Sequence, residues 1–151
     1  MDINTVGIVG AGQMGTGIAQ VCATAGLAVV LLDAEPARLD QAMAAIAAAF
    51  DRAVDRGRMT KGDAAASLAR IRPVQDYQAF SACQLAIEAV NEDEAAKKAV
   101  LKSLCAALPA DAIISSNTST ISITRLAAQT DRPGRFLGMH FMNPVPKMGL
   151  V

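Results

Sequence analysis

His140 is the only histidine in the sequence and the residue best suited to acid–base chemistry. An imidazole titrates near neutral pH, so it can take a proton from a hydroxyl group and return it. A lone histidine is more often structural than catalytic. His140, however, ends a predicted strand and is followed by the turn-forming segment 141–146, where Asn143 precedes Pro144. This placement favours proton transfer to or from an alcohol, although Asn143 could merely initiate the turn.

A second polar cluster, Ser116-Asn117-Thr118-Ser119-Thr120, follows another predicted strand. Open α/β sheets bind ligands at the carboxyl ends of their strands, so this cluster and the histidine segment are predicted to line one crevice. The alternative is a run of helix-capping residues ahead of Ile121, with Thr120 or Ser122 as the cap.

A glycine-rich segment precedes both clusters and has the pattern G-x-G-x-x-G, formed by Gly10, Gly12 and Gly15 around Gln13 and Met14. It comes directly after a predicted strand and opens a predicted helix, which is the context this motif requires. Its glycines allow a tight turn, close approach of a pyrophosphate and contact between helix and sheet. The helix N-terminus would then offer free N–H groups to the phosphates, so the segment predicts a dinucleotide site.

Asp33 lies eighteen positions after Gly15, at the end of the second predicted strand. A carboxylate near this spacing accepts hydrogen bonds from the adenosine ribose and repels a 2′-phosphate, so the sequence predicts NAD rather than NADP. Glu35 is a weaker candidate for the same role. Alternatively, Asp33 only caps the helix that begins near Pro36.

The elements that must position these residues alternate between β-branched runs and helical patterns, which is typical of βαβ units. Strands are predicted at residues 5–10, 28–33, 84–90, 113–116 and 135–140, and helices at residues 13–25, 36–56, 63–70, 94–107 and 121–129. The second and third of these helices suggest a helical hairpin inserted after the second strand. The expected fold class is therefore α/β, a doubly wound parallel sheet of the Rossmann type with this hairpin.

The composition narrows the function classes. Fourteen basic residues balance fourteen acidic ones, which argues against nucleic-acid binding. No apolar run reaches the ~20 residues needed to span a bilayer, and no signal peptide is evident. Three widely spaced cysteines without metal-ligand spacing indicate reduced thiols and no metal site. We therefore expect one cytoplasmic domain, with a core of Ala, Val, Ile, Leu and Met because only 3% of residues are aromatic.

Three segments together resemble the N-terminal domain of the 3-hydroxyacyl-CoA dehydrogenases, and within that family the bacterial 3-hydroxybutyryl-CoA enzymes. These segments are residues 6–15, 116–119 and 139–146, and the resemblance extends over the whole chain. It implies NAD-dependent oxidation of a 3-hydroxyacyl-CoA to the 3-keto thioester, and the reverse reduction, in fatty acid metabolism such as β-oxidation.

The resemblance also implies residue roles. His140 matches the catalytic histidine, and Ser119 and Asn143 match residues that bind the substrate oxygens and the nicotinamide end of the cofactor. Asn117, Glu92 and Lys97 match cofactor-contacting positions, although the sequence alone suggests solvated helix-start charges for Glu92 and Lys97. In addition, Met142 stands where many relatives have Phe, and Lys147 and Gly149 stand where apolar residues are expected.

The family holds the CoA tail at the hairpin, where Arg52, Arg56, Arg58 and Lys61 could meet its phosphates or simply form a solvated helix face. In the family, a glutamate that orients the histidine and a helical domain for substrate binding and dimerisation follow the position of Val151. Residues 1–151 are thus expected to be the dinucleotide-binding domain of a homodimeric enzyme, binding NAD but turning over poorly alone.

Two other interpretations remain open from the sequence. One is a related dehydrogenase of the gulonate or 3-hydroxyisobutyrate type, the latter relying on a lysine in a later helix. The other is a non-catalytic NAD-binding module.

Overall fold

The structure is a computed structural model that describes residues 2–151, and its centre is a six-stranded parallel sheet. The strand order is β3-β2-β1-β4-β5-β6, so the chain runs outward in one direction from β1 and then outward in the other from β4. The strands are β1 (Thr5–Val9), β2 (Ala28–Leu32), β3 (Ile71–Val74), β4 (Leu85–Glu88), β5 (Ile113–Ser116) and β6 (Phe136–Gly138). The reversal of direction between β1 and β4 opens a crevice at the carboxyl edge of the sheet.

Five α-helices cover the sheet: α1 (Gln13–Thr24), α2 (Pro36–Asp55), α3 (Lys61–Ala69), α4 (Glu94–Ala107) and α5 (Ile123–Ala127). Short 3-10 turns occupy Tyr77–Phe80, Pro133–Arg135 and Val145–Lys147. The doubly wound parallel α/β fold predicted from the sequence is confirmed. Helices α2 and α3 both come between β2 and β3 in the sequence. They pack against each other and form the expected hairpin.

Several boundaries differ from the predicted ones. The strand predicted at 135–140 ends at Gly138, because only residues 136–138 are in register with β5. His140 therefore lies two residues beyond a strand rather than at its end. The helix predicted at 121–129 is shorter, since the Ser122 side chain accepts a hydrogen bond from the Arg125 N–H and sets its start. The strand β3 was not predicted.

The core consists of two apolar clusters, one on each face of the sheet. One lies under α1, α2 and α3, and the other lies under α4 and α5. Aliphatic residues dominate as expected, but Phe50, Phe80 and Phe141 are also buried. Phe80 packs on Gly7 of β1, where a Cβ atom would lie 2.2 Å from its ring. The expectation of a core without aromatic residues was therefore wrong.

Two further properties concern the described residues as a whole. Among residues 2–151, no helix is long and apolar enough to cross a membrane. Cys22, Cys83 and Cys105 are all free, and burial raises the pKa of the Cys22 and Cys83 thiols to about 11. These two thiols are therefore protonated at neutral pH and poor nucleophiles.

Candidate functional site

The glycine-rich turn connects β1 to α1 at the centre of the carboxyl edge. Gly10 has φ +106°, a backbone conformation that residues other than glycine rarely adopt. A Cβ on Gly10 would also lie 2.7 Å from the Ala89 carbonyl oxygen. A Cβ on Gly15 would lie 1.7 Å from the Gly10 carbonyl oxygen. Both glycines are therefore required for the turn itself, because α1 and β4 approach the backbone too closely for any side chain.

Gly12 differs from these two glycines, because a Cβ on it would meet nothing within 4 Å. The residue is the N-cap of α1, makes no side-chain capping bond and is followed by no acidic residue in the first turn. The open space and the uncapped helix N-terminus fit the pyrophosphate of a dinucleotide, which needs close backbone approach and free N–H donors. Gln13, the first residue of α1, is exposed.

Asp33 is half-buried and organises the turn through both carboxylate oxygens. Its Oδ2 accepts from the Ala11 N–H at 2.9 Å, and its Oδ1 accepts from the Glu35 N–H at 2.9 Å. The alternative that it simply caps α2 is wrong, because Glu35 is the N-cap. The Glu35 carboxylate pairs with Arg38 at 3.2 Å. Asp33 therefore stands beside the predicted phosphate site as part of its scaffold.

A largely apolar cavity of about 250 Å³ opens next to Asp33 and Gly12. Leu32, Tyr77 and Val90 contribute to its walls. An apolar slot beside a carboxylate suits a flat purine attached to a ribose. This cavity is the candidate adenosine end of the crevice.

A second cavity of about 250 Å³ lies at the other end of the crevice. It brings together six residues that the sequence predicted as functional: Met14, Glu92, Asn117, Ser119, His140 and Asn143. The Ser119 Oγ and the His140 Nε2 are 2.9 Å apart, within hydrogen-bonding distance. Ser119, His140 and Asn143 are exposed to the cavity, so their polar atoms can reach a bound molecule.

Asn117 joins the two polar clusters. Its Oδ1 accepts from the Phe141 N–H at 2.8 Å, which ties the segment after β6 to the end of β5. Because β6 ends two residues before His140, this hydrogen bond, rather than strand pairing, connects the His140 segment to the end of β5. Phe141, which is buried, anchors the same segment in the core.

Glu92 lies at the rim of this cavity and is held in its ionised form. Burial alone would raise the pKa of its carboxyl group, but a hydrogen bond from the Thr118 hydroxyl, the charge of Lys97 and the backbone amides of Ser119 and Thr120 outweigh it. The net effect is a lowered pKa. A carboxylate at this position gives the cavity a fixed negative charge and a strong hydrogen-bond acceptor.

Lys97 is not the solvated helix-start charge that the sequence suggested. It is 1% exposed, and its Nζ donates to the Glu88 Oε1 at 2.7 Å and to the Val90 carbonyl at 3.3 Å. Its ammonium group is thus engaged beneath the crevice, and a direct cofactor contact remains only a prediction. Sequence reasoning also missed Glu88. The available signal was a carboxylate at the carboxyl end of an otherwise apolar strand.

Arg52 lies in the last turn of α2 and Arg56 caps that helix, so the two arginines lie together at its carboxyl end. With Arg58 and Lys147 they line a cavity of about 370 Å³ that also reaches Pro144. Lys61 is not part of this group, because it lines a separate cleft between α2 and α3. The structure thus does not group Lys61 with the arginines, and its contact with the phosphates stays a prediction. Lys147, which the sequence showed only as a departure from the family pattern, takes its place.

The 3-2-1-4-5-6 parallel sheet, the uncapped helix at the glycine turn and Asp33 after β2 define a dinucleotide-binding domain of the Rossmann class. A serine–histidine pair, Ser119 and His140, lies at the far end of its crevice and offers a hydroxyl and an imidazole to a bound molecule.

The chain belongs to the 3-hydroxyacyl-CoA dehydrogenase NAD-binding domain family, whose model matches residues 5–151. It is 48% identical over 149 residues to a 3-hydroxybutyryl-CoA dehydrogenase of Bradyrhizobium diazoefficiens, covering 99% of this chain and 51% of that protein. It is 44% identical over 150 residues to the fatty acid oxidation complex subunit alpha of Psychrobacter cryohalolentis, covering 99% of this chain and 21% of that one.

Solved structures agree with this assignment. The crystal structure of (S)-3-hydroxybutyryl-CoA dehydrogenase from Ralstonia eutropha superposes with a TM-score of 0.96 at 47% identity. The superposition covers 99% of this chain and 53% of the Ralstonia eutropha chain. The chain thus spans about half the length of the 3-hydroxybutyryl-CoA dehydrogenases that it matches. NAD is the cofactor of the family domain, and the glycine turn and Asp33 fit it.

Proposed function

We propose that residues 1–151 form the dinucleotide-binding domain of an NAD-dependent enzyme that oxidises a 3-hydroxyacyl-CoA, such as 3-hydroxybutyryl-CoA, to the 3-keto thioester. The observation that carries this proposal is the Ser119–His140 pair, 2.9 Å apart, at the end of a crevice that begins at the glycine turn. In this proposal the pair supplies a proton acceptor and a hydroxyl donor beside the bound nicotinamide.

The cofactor would be held at three points. The α1 N-terminus and the space above Gly12 would receive the pyrophosphate, and Asp33 would accept from the adenosine ribose while keeping its bond to Ala11. Glu92, Asn117 and Asn143 would surround the nicotinamide end. Bound NAD supplies the acceptor for the hydride that leaves carbon 3 of the substrate.

The remaining chemistry belongs to the protein. His140 takes the hydroxyl proton as the carbonyl forms, and it returns that proton in the reverse reduction. Ser119 lies within hydrogen-bonding distance of the imidazole, so its hydroxyl can orient both the ring and the substrate oxygen. Asn143 supplies a further side-chain amide at the same end.

The basic cavity formed by Arg52, Arg56, Arg58 and Lys147 would hold the phosphates of the CoA tail. The cavity also reaches Pro144 and Pro146, which follow His140 and Asn143 closely in the sequence. A tail seated there would therefore lead toward Asn143 and His140.

Titration of NADH into the 151-residue chain, followed by fluorescence with NADPH as the control, tests the cofactor site. We expect saturable binding of NADH with a clear preference over NADPH. A second titration with acetoacetyl-CoA present tests the substrate site, and we expect the two ligands to influence each other's affinity. Absence of NADH binding by folded protein would contradict the proposal.

Variants separate the two ends of the site. Ser119→Ala and His140→Gln should retain NADH binding within a few-fold but lose the coupling to acetoacetyl-CoA, because they remove groups that face the substrate oxygen. Ser81→Ala is the matched control, since Ser81 is exposed and precedes the amino end of β4. A panel of CoA thioesters and free hydroxy acids distinguishes this proposal from gulonate- and 3-hydroxyisobutyrate-type activity.

We further infer that the protein acts in the cytoplasm and as a homodimer. The three free cysteines accord with a reducing compartment. The dimer contact would lie in the half of the relatives that these residues do not match. If the contact lies there, light scattering should find the 151-residue chain monomeric, and a stable dimer of this chain would contradict that location.

A further inference from the structure

A buried polar network lies directly beneath the crevice, and none of the proposed proton and hydride transfers involves it. Its members are Lys97, Glu88 and Ser116, which are exposed by 1%, 0% and 0%. The Glu88 Oε1 accepts from Lys97 at 2.7 Å, and the Glu88 Oε2 accepts from the Ser116 hydroxyl at 2.6 Å. Glu88 and Ser116 are the final residues of β4 and β5 and lie opposite each other in the sheet.

The network holds the backbone of the two loops that follow these strands. On the β4 side, the Val90 N–H donates to Glu88 at 2.7 Å, and the Val90 carbonyl accepts from Lys97 at 3.3 Å. On the β5 side, the Thr118 N–H donates to the Ser116 hydroxyl at 3.2 Å. Both loops are therefore fixed to one buried carboxylate.

These loops carry the nicotinamide end of the site. Val90 forms part of the walls of both the adenosine cavity and the histidine cavity. Thr118, held by Ser116, donates from its side-chain hydroxyl to Glu92 and precedes Ser119. A shift of either loop would thus move Glu92 and Ser119 relative to His140.

Stability alone gives little reason for a buried ion pair. Removing a carboxylate and an ammonium from water costs several kcal/mol per ion, and apolar replacements of similar volume are often at least as stable. A fully paired network does fix a single arrangement of the groups around it. Its position under the two loops suggests that this arrangement serves the site.

We propose that Glu88, Lys97 and Ser116 are positioning residues that hold the β4 and β5 loops in the geometry needed to bind the nicotinamide half of the cofactor. The inference rests on the proposed NAD site and assigns the two halves of the cofactor to different groups of residues. The glycine turn and Asp33 bind the ADP-ribose half, and the buried network shapes the other half.

The chain offers a matched pair of variants for the test. Ser116→Ala removes the hydroxyl that joins Glu88 to the β5 loop. Ser115→Ala removes the neighbouring hydroxyl, which is equally buried and, within residues 2–151, has no hydrogen-bond partner. Both changes delete one oxygen from β5, so a difference between them reports the network rather than the loss of a serine.

The experiment measures affinity for NADH and for ADP-ribose, which lacks the nicotinamide. Ser116→Ala should weaken NADH binding by about tenfold, the order expected for losing a hydrogen bond to a charged group, and leave ADP-ribose binding within about twofold. Ser115→Ala should change neither affinity. Glu88→Gln should weaken NADH binding at least as much as Ser116→Ala, because Glu88 holds both loops, with circular dichroism confirming that it folds.

The outcomes are distinguishable. If wild-type protein binds neither ligand, the proposed NAD site is wrong and the positioning role is wrong with it. If wild-type protein binds both ligands but Ser116→Ala weakens them equally, or weakens neither, the NAD site stands and the positioning role is refuted.

Discussion

Gly12 and Gly15 belong to the same motif, but replacing each by alanine should have a different effect. Gly12→Ala should impair cofactor binding, and Gly15→Ala should lower the stability of the fold. A Cβ on Gly12 meets no atom within 4 Å, and its φ of −75° is accessible to alanine. Gly12→Ala should therefore fold normally, but its methyl group would occupy the space proposed for the pyrophosphate. A Cβ on Gly15 instead lies 1.7 Å from a backbone oxygen of Gly10.

The magnitudes follow from these contacts. For Gly12→Ala, a slightly poorer N-cap and a less flexible unfolded chain oppose each other, so stability should change by less than about 1 kcal/mol. For Gly15→Ala, α1 must move away from the turn by more than an ångström. Overpacking costs about 1–3 kcal/mol, and a clash against backbone belongs at or above the upper end. A loss of about 3 kcal/mol lowers Tm by roughly 6–12 °C in a domain of this size.

Thermal unfolding by circular dichroism measures the stabilities, and calorimetric titration measures NADH affinity. We expect Gly12→Ala to keep the wild-type Tm and lose NADH affinity by about 100-fold, since it obstructs the phosphate site sterically. Gly15→Ala should lose several degrees of Tm. The reasoning would be refuted by a Gly12→Ala protein that binds NADH as well as wild type, or by a Gly15→Ala protein of unchanged Tm.

Three further predictions concern charged residues. Asp33→Ala should weaken NADH binding by about tenfold and reduce the preference over NADPH, measured by parallel titrations, because the carboxylate both braces the glycine turn and opposes a 2′-phosphate. Lys97→Met should lower the free energy of unfolding in urea by about 3–5 kcal/mol, because it leaves a buried carboxylate unpaired, whereas the exposed control Lys98→Met should change it by less than about 0.5 kcal/mol. The hydrogen bond from Arg132 holds the pKa of Asp131 at about 2, below its usual 3.8, so its contribution to stability is present above about pH 4 and is lost as the pH falls toward 2. The Tm of Asp131→Asn should accordingly lie below that of wild type at pH 6 and converge with it near pH 2.

The fold could be predicted from the sequence because its signals are local. The alternation of apolar strands and helical segments predicted the doubly wound sheet, and the bounds of α4 and β5 agree with the structure. The last strand could not be bounded in this way. Residues 135–140 are compatible with a strand, but only 136–138 find a partner in β5, and pairing is a tertiary property.

The candidate site divides along the same line. The glycine pattern, Asp33 and the single histidine are recognisable from residue type and spacing, because the conformation of a turn and the chemistry of a titratable group depend mainly on residues nearby in the sequence. Lys97 was interpreted as a solvated charge since it opens a helix, where lysine is usually exposed. Its burial depends on Glu88, a residue of another element that the sequence gives no reason to pair with it.

The sequence by itself therefore determined the doubly wound sheet apart from β3, the glycine turn and the identity of the groups that can do chemistry, since each follows from the periodicity or type of nearby residues. Only the tertiary structure decided which of them meet. It placed Ser119 against His140, grouped Lys147 with Arg52, Arg56 and Arg58, and put Lys61 in another cleft. It also buried Lys97 beneath the loops of the site. The physical reason is that these contacts join residues far apart in sequence, and their distances are set by how the helices pack on the sheet.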